Sequence, residues 1–241
     1  FTGSATEANN LAISGAVQHF KKKFPTVRPR ILISAIEHDC VLESAKSLAA
    51  WGVEVVTIPV SKEGVVDAKK LKSALNERTV VVSVMYANNE VGTIQPIAQI
   101  GKILEDFRVR EKTGTYPLFH VDAVQAFQYL DCNVASLGVD LMTLSGHKVY
   151  GPKGIGALYV KNRALNSRKP VRDKAGKYLL EPLIVGGGQE EGLRSGTENV
   201  PYVVGFAKAI EIASEDRFTI VKRSKELRDY LLKGLKKVYP K

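Results

Sequence analysis

Three side chains in this sequence stand where chemistry could be done: Lys148 in Ser145-Gly146-His147-Lys148, Asp122 in His120-Val121-Asp122-Ala123, and His38 in Ile36-Glu37-His38-Asp39. Each follows an apolar, β-rich run, and open α/β sheets place their ligands at the carboxyl ends of strands. A lysine at a strand end, partly desolvated, loses its proton more easily and can condense with a carbonyl group. Taken alone, a lysine in a loop is better read as a surface residue. A carboxylate at a buried strand end needs a cationic partner. Asp122 would serve equally well as the cap of a following helix.

The lysine and the acid together fit pyridoxal 5'-phosphate (PLP), whose carbonyl would take Lys148 and whose ring nitrogen would be kept protonated by Asp122. Other segments supply the rest of such a site. Gly3-Ser4-Ala5-Thr6-Glu7 opens the first helix, where small residues, hydroxyls and free N–H groups suit a phosphate, although an ordinary N-cap uses the same residues. His38 offers an aromatic face for stacking on a ring, or is a satisfied polar residue. Asn88-Asn89-Glu90-Val91-Gly92 reads as a turn or as oriented amide donors. Gly186-Gly187-Gly188-Gln189 and Arg194-Ser195-Gly196-Thr197 form a plain loop or a second phosphate contact.

The elements that must position these residues alternate between strand and helix patterns. That pattern predicts an α/β fold, a mainly parallel central sheet with helices on both faces. Strands are expected at 31–35, 53–60, 79–86, 118–121, 141–144 and 155–160. Thr79 to Tyr86 is apolar enough for a central buried strand. Helices are expected at 6–22, where Ser4 to Glu7 has a capping-box pattern, and at about 39–50, 67–76, 97–112, 202–214 and 217–238. Residues 163–181, rich in charge and proline, read as an inserted exposed loop. The domain reading is a cofactor-binding large domain over 1–215 and, over 216–241, a helix leading toward a small domain that is absent. Phe1 falls straight into a motif, so an N-terminal truncation is expected as well.

Composition bounds the function classes. The 241 residues suffice for one sizeable α/β domain, and 44% hydrophobic with 25% charged content is ordinary for a globular protein. No apolar run is long enough for a bilayer. Cys40 and Cys132 lack metal or redox spacing, which disfavours a zinc site or a disulfide framework and suggests a reducing compartment. The formal net charge of +10 raises nucleic acid as a partner, but few aromatics interleave with the lysines and arginines. A solvated face or an acidic protein partner explains the charge better.

With these motifs in order, the sequence resembles the NifS/IscS-type cysteine desulfurases, in the class V aminotransferase group of fold-type I PLP enzymes. The resemblance rests on the run from Phe1 to Asn10, Glu37-His38, Asn88 to Gly92, His120 to Gln125, Ser145 to Gly154, Gly186 to Glu190 and Arg194 to Thr197. It implies that Lys148 holds PLP and moves protons, and that His38 stacks on the ring and assists in proton transfer. It further implies that Asp122 pairs with the ring nitrogen, that Gln125 bonds the ring hydroxyl oxygen, and that Asn89 contacts cofactor and substrate. Ala5, Thr6, Ser145 and His147 would hold the phosphate, and Thr197 would reach the phosphate of a neighbouring subunit in a homodimer.

The implied activity converts L-cysteine to L-alanine and passes persulfide sulfur to an acceptor or scaffold protein, for example in iron–sulfur cluster assembly, in the cytoplasm or a mitochondrion. The sequence departs from the pattern in reading Gly3-Ser4 for the more usual Ser-Gly. The family's sulfur-accepting cysteine and its carboxylate-binding arginine match no residue here, so the chain is expected to bind PLP without completing desulfuration. The rival readings are selenocysteine lyase, another class V aminotransferase or epimerase, and a non-catalytic binding module.

Overall fold

The computed structural model describes residues 1–161 and 176–239. Six strands, β1 (Arg30–Ser34), β2 (Glu54–Ile58), β3 (Thr79–Ser83), β4 (Leu118–Asp122), β5 (Leu141–Ser145) and β6 (Gly156–Val160), form one sheet in the order β2-β1-β3-β4-β5-β6. The first five run parallel and β6 pairs antiparallel with β5. β3 and β4 are buried at every position, as strands covered on both faces must be. The expected α/β class with a mainly parallel sheet is borne out.

Alternate residues of each strand feed two cores. Ile31, Ile33, Val81, Leu118 and Leu141 pack on one face against Ile13, Val17 and Phe20, and against Val41 and Leu48 of helix α3 (Asp39–Ala49). Leu32, Val82, Phe119 and Met142 pack on the other, against Leu71 of α4 (Ala68–Ala74) and Ile100 and Leu104 of α5 (Ile97–Arg110). A third cluster joins Val149 and Ile155 to Phe206, Ala209 and Ala213 of α7 (Val200–Glu215). α8 (Arg217–Val238) buries none of its residues.

The expected first helix is α1 (Ala5–Asn10), a π-helical segment (Leu11–Gly15) and α2 (Ala16–Lys23), with helical backbone angles at both junctions. At Gly15 a side chain has no room, because a Cβ would lie 2.7 Å from the Glu181 carbonyl oxygen. A short helix, α6 (Val134–Leu137), was not expected; Asn133 caps it and left-handed Gly138 ends it. α7 begins at Val200 rather than 202, since the Asn199 side chain accepts from the Tyr202 N–H and Pro201 is tolerated in a first turn.

Of the exposed loop expected at 163–181, residues 163–175 lie outside the described residues. The remainder corrects the expectation: Leu179 and Leu180 belong to the first core, and the Glu181 N–H donates to the Gly15 carbonyl at 3.0 Å. A second buried feature sits at the far end of the sheet, where the Asp140 carboxylate takes Arg108 and Lys161 together with the Phe119 N–H. Among the described residues no helix is long and apolar enough to cross a membrane.

β6 holds the start of α1 in place. Thr2 and Gly156 exchange both backbone hydrogen bonds, at 2.9 and 2.8 Å. A Cβ on Gly156 would lie 2.5 Å from the Ser4 carbonyl carbon and 2.7 Å from the Ala5 nitrogen, so only glycine allows this approach. Gly156→Ala should therefore destabilise the fold by about 2 kcal/mol, the usual scale of overpacking against backbone. A urea unfolding midpoint equal to that of the parent would show that the strand yields instead.

Candidate functional site

The carboxyl ends of the parallel strands open onto a cavity of about 280 Å³, lined by Ser4, Ala5, Thr6, His38, Cys40, Met85, Asn89, Asp122, Val124, Gln125, His147 and Lys148. Asp122 is the last residue of β4. His147 and Lys148 lie in the single 3-10 turn (Gly146–Val149) that follows β5. That turn is tight: a Cβ on Gly146 would meet Ile155 Cγ2 and the Pro152 carbonyl oxygen at 2.7 Å. His38 is the N-cap of α3, and its side chain accepts from the Cys40 N–H. The Ser4 Oγ accepts from Glu7 N–H at 3.1 Å and caps α1, while a Glu7 carboxylate oxygen accepts from Gly3 N–H at 2.9 Å. Arg194 locks this cap by donating to the other Glu7 oxygen at 2.8 Å.

Charge is distributed unevenly along the cavity. At one end, the opening turn of α1 faces the turn that carries His147 and Lys148. Partial burial, then the charges of Lys148 and Lys153, hold the His147 imidazole below its usual pKa. Free N–H groups and cations together suit an anion such as a phosphate. At the other end, Asp122 is 2% exposed. Its oxygens accept from the Val124 N–H at 3.0 Å and from Asn9 Nδ2 at 2.8 Å. Burial pushes its pKa up, against the opposing effect of these two bonds and of His38 nearby.

Cys40 Sγ lies 3.0 Å from Asn9 Nδ2 and 3.1 Å from His38 Nδ1. Burial above all keeps this cysteine a thiol, with Asp122 and Glu37 adding to the effect. Since the Cys40 N–H donates to His38 Nδ1, the neutral imidazole carries its proton on Nε2.

Ala5, Thr6, His38, Asn89, Asp122, Gln125, His147 and Lys148 thus meet in one cavity. Ser145 stands behind it, sharing a 2.9 Å hydrogen bond with His147 Nδ1. Thr197 lies elsewhere, in a cavity of about 220 Å³ with Arg194, Gly196, Glu198 and Asn199. The Gly186 to Gln189 segment lies apart from the main cavity too; its Gln189 side chain takes the Gly196 N–H at 2.9 Å. One expectation is corrected: Lys148 is exposed, so the surrounding protein does not supply the desolvation read from its place after a strand. Sequence reasoning missed Asn9, Cys40 and Met85. The residues present fit PLP. A buried carboxylate whose hydrogen bonds come from neutral donors suits a protonated ring nitrogen, and the helix start opposite suits a phosphate. Among the described residues no group of three or more metal-ligating side chains comes together.

Beneath the cavity a polar layer crosses the sheet. Glu37 accepts from Ser34 Oγ, from the Met85 N–H at 2.6 Å and from Ser83 Oγ at 3.4 Å. Ser83 Oγ also bonds His120 Nδ1 at 2.8 Å, and His120 Nε2 reaches Thr143 Oγ1 at 3.0 Å. Burial raises Glu37 to a pKa of about 7 and lowers His120 to about 3, so between those values a neutral acid faces a neutral imidazole across Ser83.

An unfolded glutamate loses its proton near 4.5, so the stabilisation from Glu37 is complete below that pH and lost as pH rises through about 7. Its size is on the order of 3 kcal/mol. His120 acts in the opposite sense: its contribution is present above 6.5 and lost as pH falls through about 3. The two slopes offset each other between the glutamate and histidine reference values. Glu37→Gln removes one of them, so urea unfolding should show the variant gaining stability with rising pH over that window relative to the parent. Parallel curves would mean that Glu37 is already ionised in the fold.

The chain is 42% identical over 240 residues to a protein named cysteine desulfurase IscS from Ehrlichia chaffeensis, covering 100% of this chain and 53% of that relative. A solved structure of a NifS-like protein superposes with a TM-score of 0.83 at 39% identity, over 99% of this chain and 59% of the other. A structure of SspA in complex with cysteine aligns with a TM-score of 0.72 at 38% identity, over 87% and 54%. The chain therefore spans about half the length of the curated relatives it matches. The aminotransferase class-V family model matches residues 1–240, and the chain belongs to that family.

Proposed function

We propose that this chain is the PLP-binding portion of a cysteine desulfurase. The observation that carries the reading is the convergence of Lys148, Asp122, His38 and the α1 start on one cavity at the carboxyl edge of the sheet. Similarity to proteins named cysteine desulfurase, and to a structure in complex with cysteine, supports L-cysteine as the substrate.

When bound, PLP supplies a cationic ring that draws electrons away from the substrate's α-carbon. Lys148 is the amine that would hold the cofactor's carbonyl carbon, and it would move protons at the α-carbon once substrate displaces it. Asp122 would keep the ring nitrogen protonated, and Gln125 would bond the ring hydroxyl oxygen. His38 would stack on the ring and assist in proton transfer through Nε2. Thr6, Ser145, His147 and the Ala5 N–H would hold the phosphate. Asn89 would orient cofactor and substrate.

Thr197 sits in the second cavity, and the nearby Val185, Val200 and Val204 are exposed, which supports a homodimer in which Thr197 serves the neighbouring subunit. Residues 1–215 would form the cofactor-binding domain. Exposed Leu227, Leu231 and Leu235 on α8 support its role as a bridge to a further domain. The sulfur would leave as persulfide for an acceptor or scaffold protein, in a reducing compartment such as the cytoplasm, consistent with two free thiols.

Visible absorption of the chain with added PLP, before and after borohydride reduction, tests the reading beside a Lys148→Ala variant. The parent should retain the chromophore covalently after reduction, and the variant should not. Equal retention by both proteins would remove Lys148 from the role.

A further inference from the structure

Asn9 is fully buried, yet its side chain lies at the junction of α1, α3 and β4, three of the elements that line the cavity. It stands three residues after Thr6 on the helix face that looks toward the sheet. Both amide hydrogens are used: one goes to Asp122 Oδ2 at 2.8 Å, at the end of β4, and the other to Cys40 Sγ at 3.0 Å, in the first turn of α3. Its Oδ1 is buried and has no hydrogen-bond partner. A buried acceptor left without a partner is a cost that packing alone does not call for. The amide works only in this orientation, since reversing it would set Oδ1 against the carboxylate. An aspartate here would add a third buried carboxyl beside Asp122 and Glu37, with no hydrogen to give.

We propose that Asn9 is a positioning residue that keeps Asp122 ionised and aimed into the cavity, and thereby sets the protonation of a pyridine ring bound there. The inference rests on the proposed PLP site. Asp122 has one oxygen fixed by the Val124 N–H and the other by Asn9, so the carboxylate cannot rotate away from the cavity without breaking a bond. The groups facing it are His38 and Cys40 from the start of α3, Glu37 from the segment before it, and Lys148 across the cavity. Only His38 and Lys148 can bring positive charge; the Asp122 charge in turn disfavours ionisation of Glu37 and Cys40. Removing the Asn9 donor leaves the backbone N–H of Val124 as the one hydrogen-bond donor to the carboxylate among the described residues.

The test begins without cofactor. The Asp122 carboxyl carbon, labelled with 13C and assigned by its loss in Asp122→Asn, is titrated by NMR in the full chain and in Asn9→Ala. The variant should bind that proton roughly tenfold more tightly, a shift of about one pH unit, since a hydrogen bond to the charged form has been lost. Asn9→Ser, with a smaller donor, should fall between the two, and it decides the question should the alanine variant not fold. With PLP added, the pH midpoint of the bound chromophore should move in Asn9→Ala and be partly restored in Asn9→Ser. Identical Asp122 titrations in the parent and in either folded variant would overturn the inference. A parent chain that binds no PLP would instead overturn the proposed function, a result the cofactor-free titration does not depend on.

Discussion

A carboxylate placed at the end of a central strand, 2% exposed, has to be matched by something. Asp122 is held by two neutral donors, and burial still pushes its pKa upward. Met85, Val124 and His38 line the cavity beside it. Burial raises the neighbouring Glu37 to a pKa of about 7, so below that pH it adds no second negative charge to the same region. These arrangements make Asp122 the acidic group of a cavity that the start of α1 also lines. Much of the fold serves this single constraint.

The sheet topology brings it about. Five parallel strands present their carboxyl ends on one edge, so the residues following β1, β3, β4 and β5 are gathered without long loops. Glycines set the spacing. Gly146 lets the Lys148 turn close against Ile155 and Pro152, and Gly156 lets β6 touch the backbone of Ser4 and Ala5. The Arg194 to Glu7 pair then ties the cap of α1 to the segment that carries Thr197. The anion end and the acid end of the cavity are thus fixed by separate parts of the structure, with Asn9 joining them from within.

The strands were legible because Thr79 to Ser83, Leu118 to Asp122 and Leu141 to Ser145 are nearly continuous apolar runs, and the chemistry-bearing residues follow them directly. The family motifs named Ala5, Thr6, His38, Asn89, Asp122, Gln125, His147 and Lys148 of the cavity lining but not Cys40 or Met85, and Thr197 lies apart from the rest. What could not be read was long-range or geometric. Asn9 lies 113 residues from Asp122 and 31 from Cys40, so its donor role has no local signal. The π-helical stretch at Leu11–Gly15 has no compositional mark, and its close contact comes from Glu181 far along the chain. Leu179 and Leu180 sit beside a charged, proline-bearing stretch, which masked their burial. The short helix Val134–Leu137 offered one turn of pattern, with its Asn133 and Gly138 ends as the usable signal. Lys148 was expected to be partly desolvated; its exposure shows that position after a strand does not by itself imply burial.

The most direct measurement of the central claim is a crystal structure of this chain grown with PLP. The account predicts the phosphate against Ser4 to Thr6 and His147, the ring nitrogen at Asp122, His38 on the ring face, and continuous density from the cofactor to Lys148 Nζ. Density placing the phosphate in the second cavity beside Gly196, or the ring turned so that its nitrogen faces away from Asp122, would contradict it.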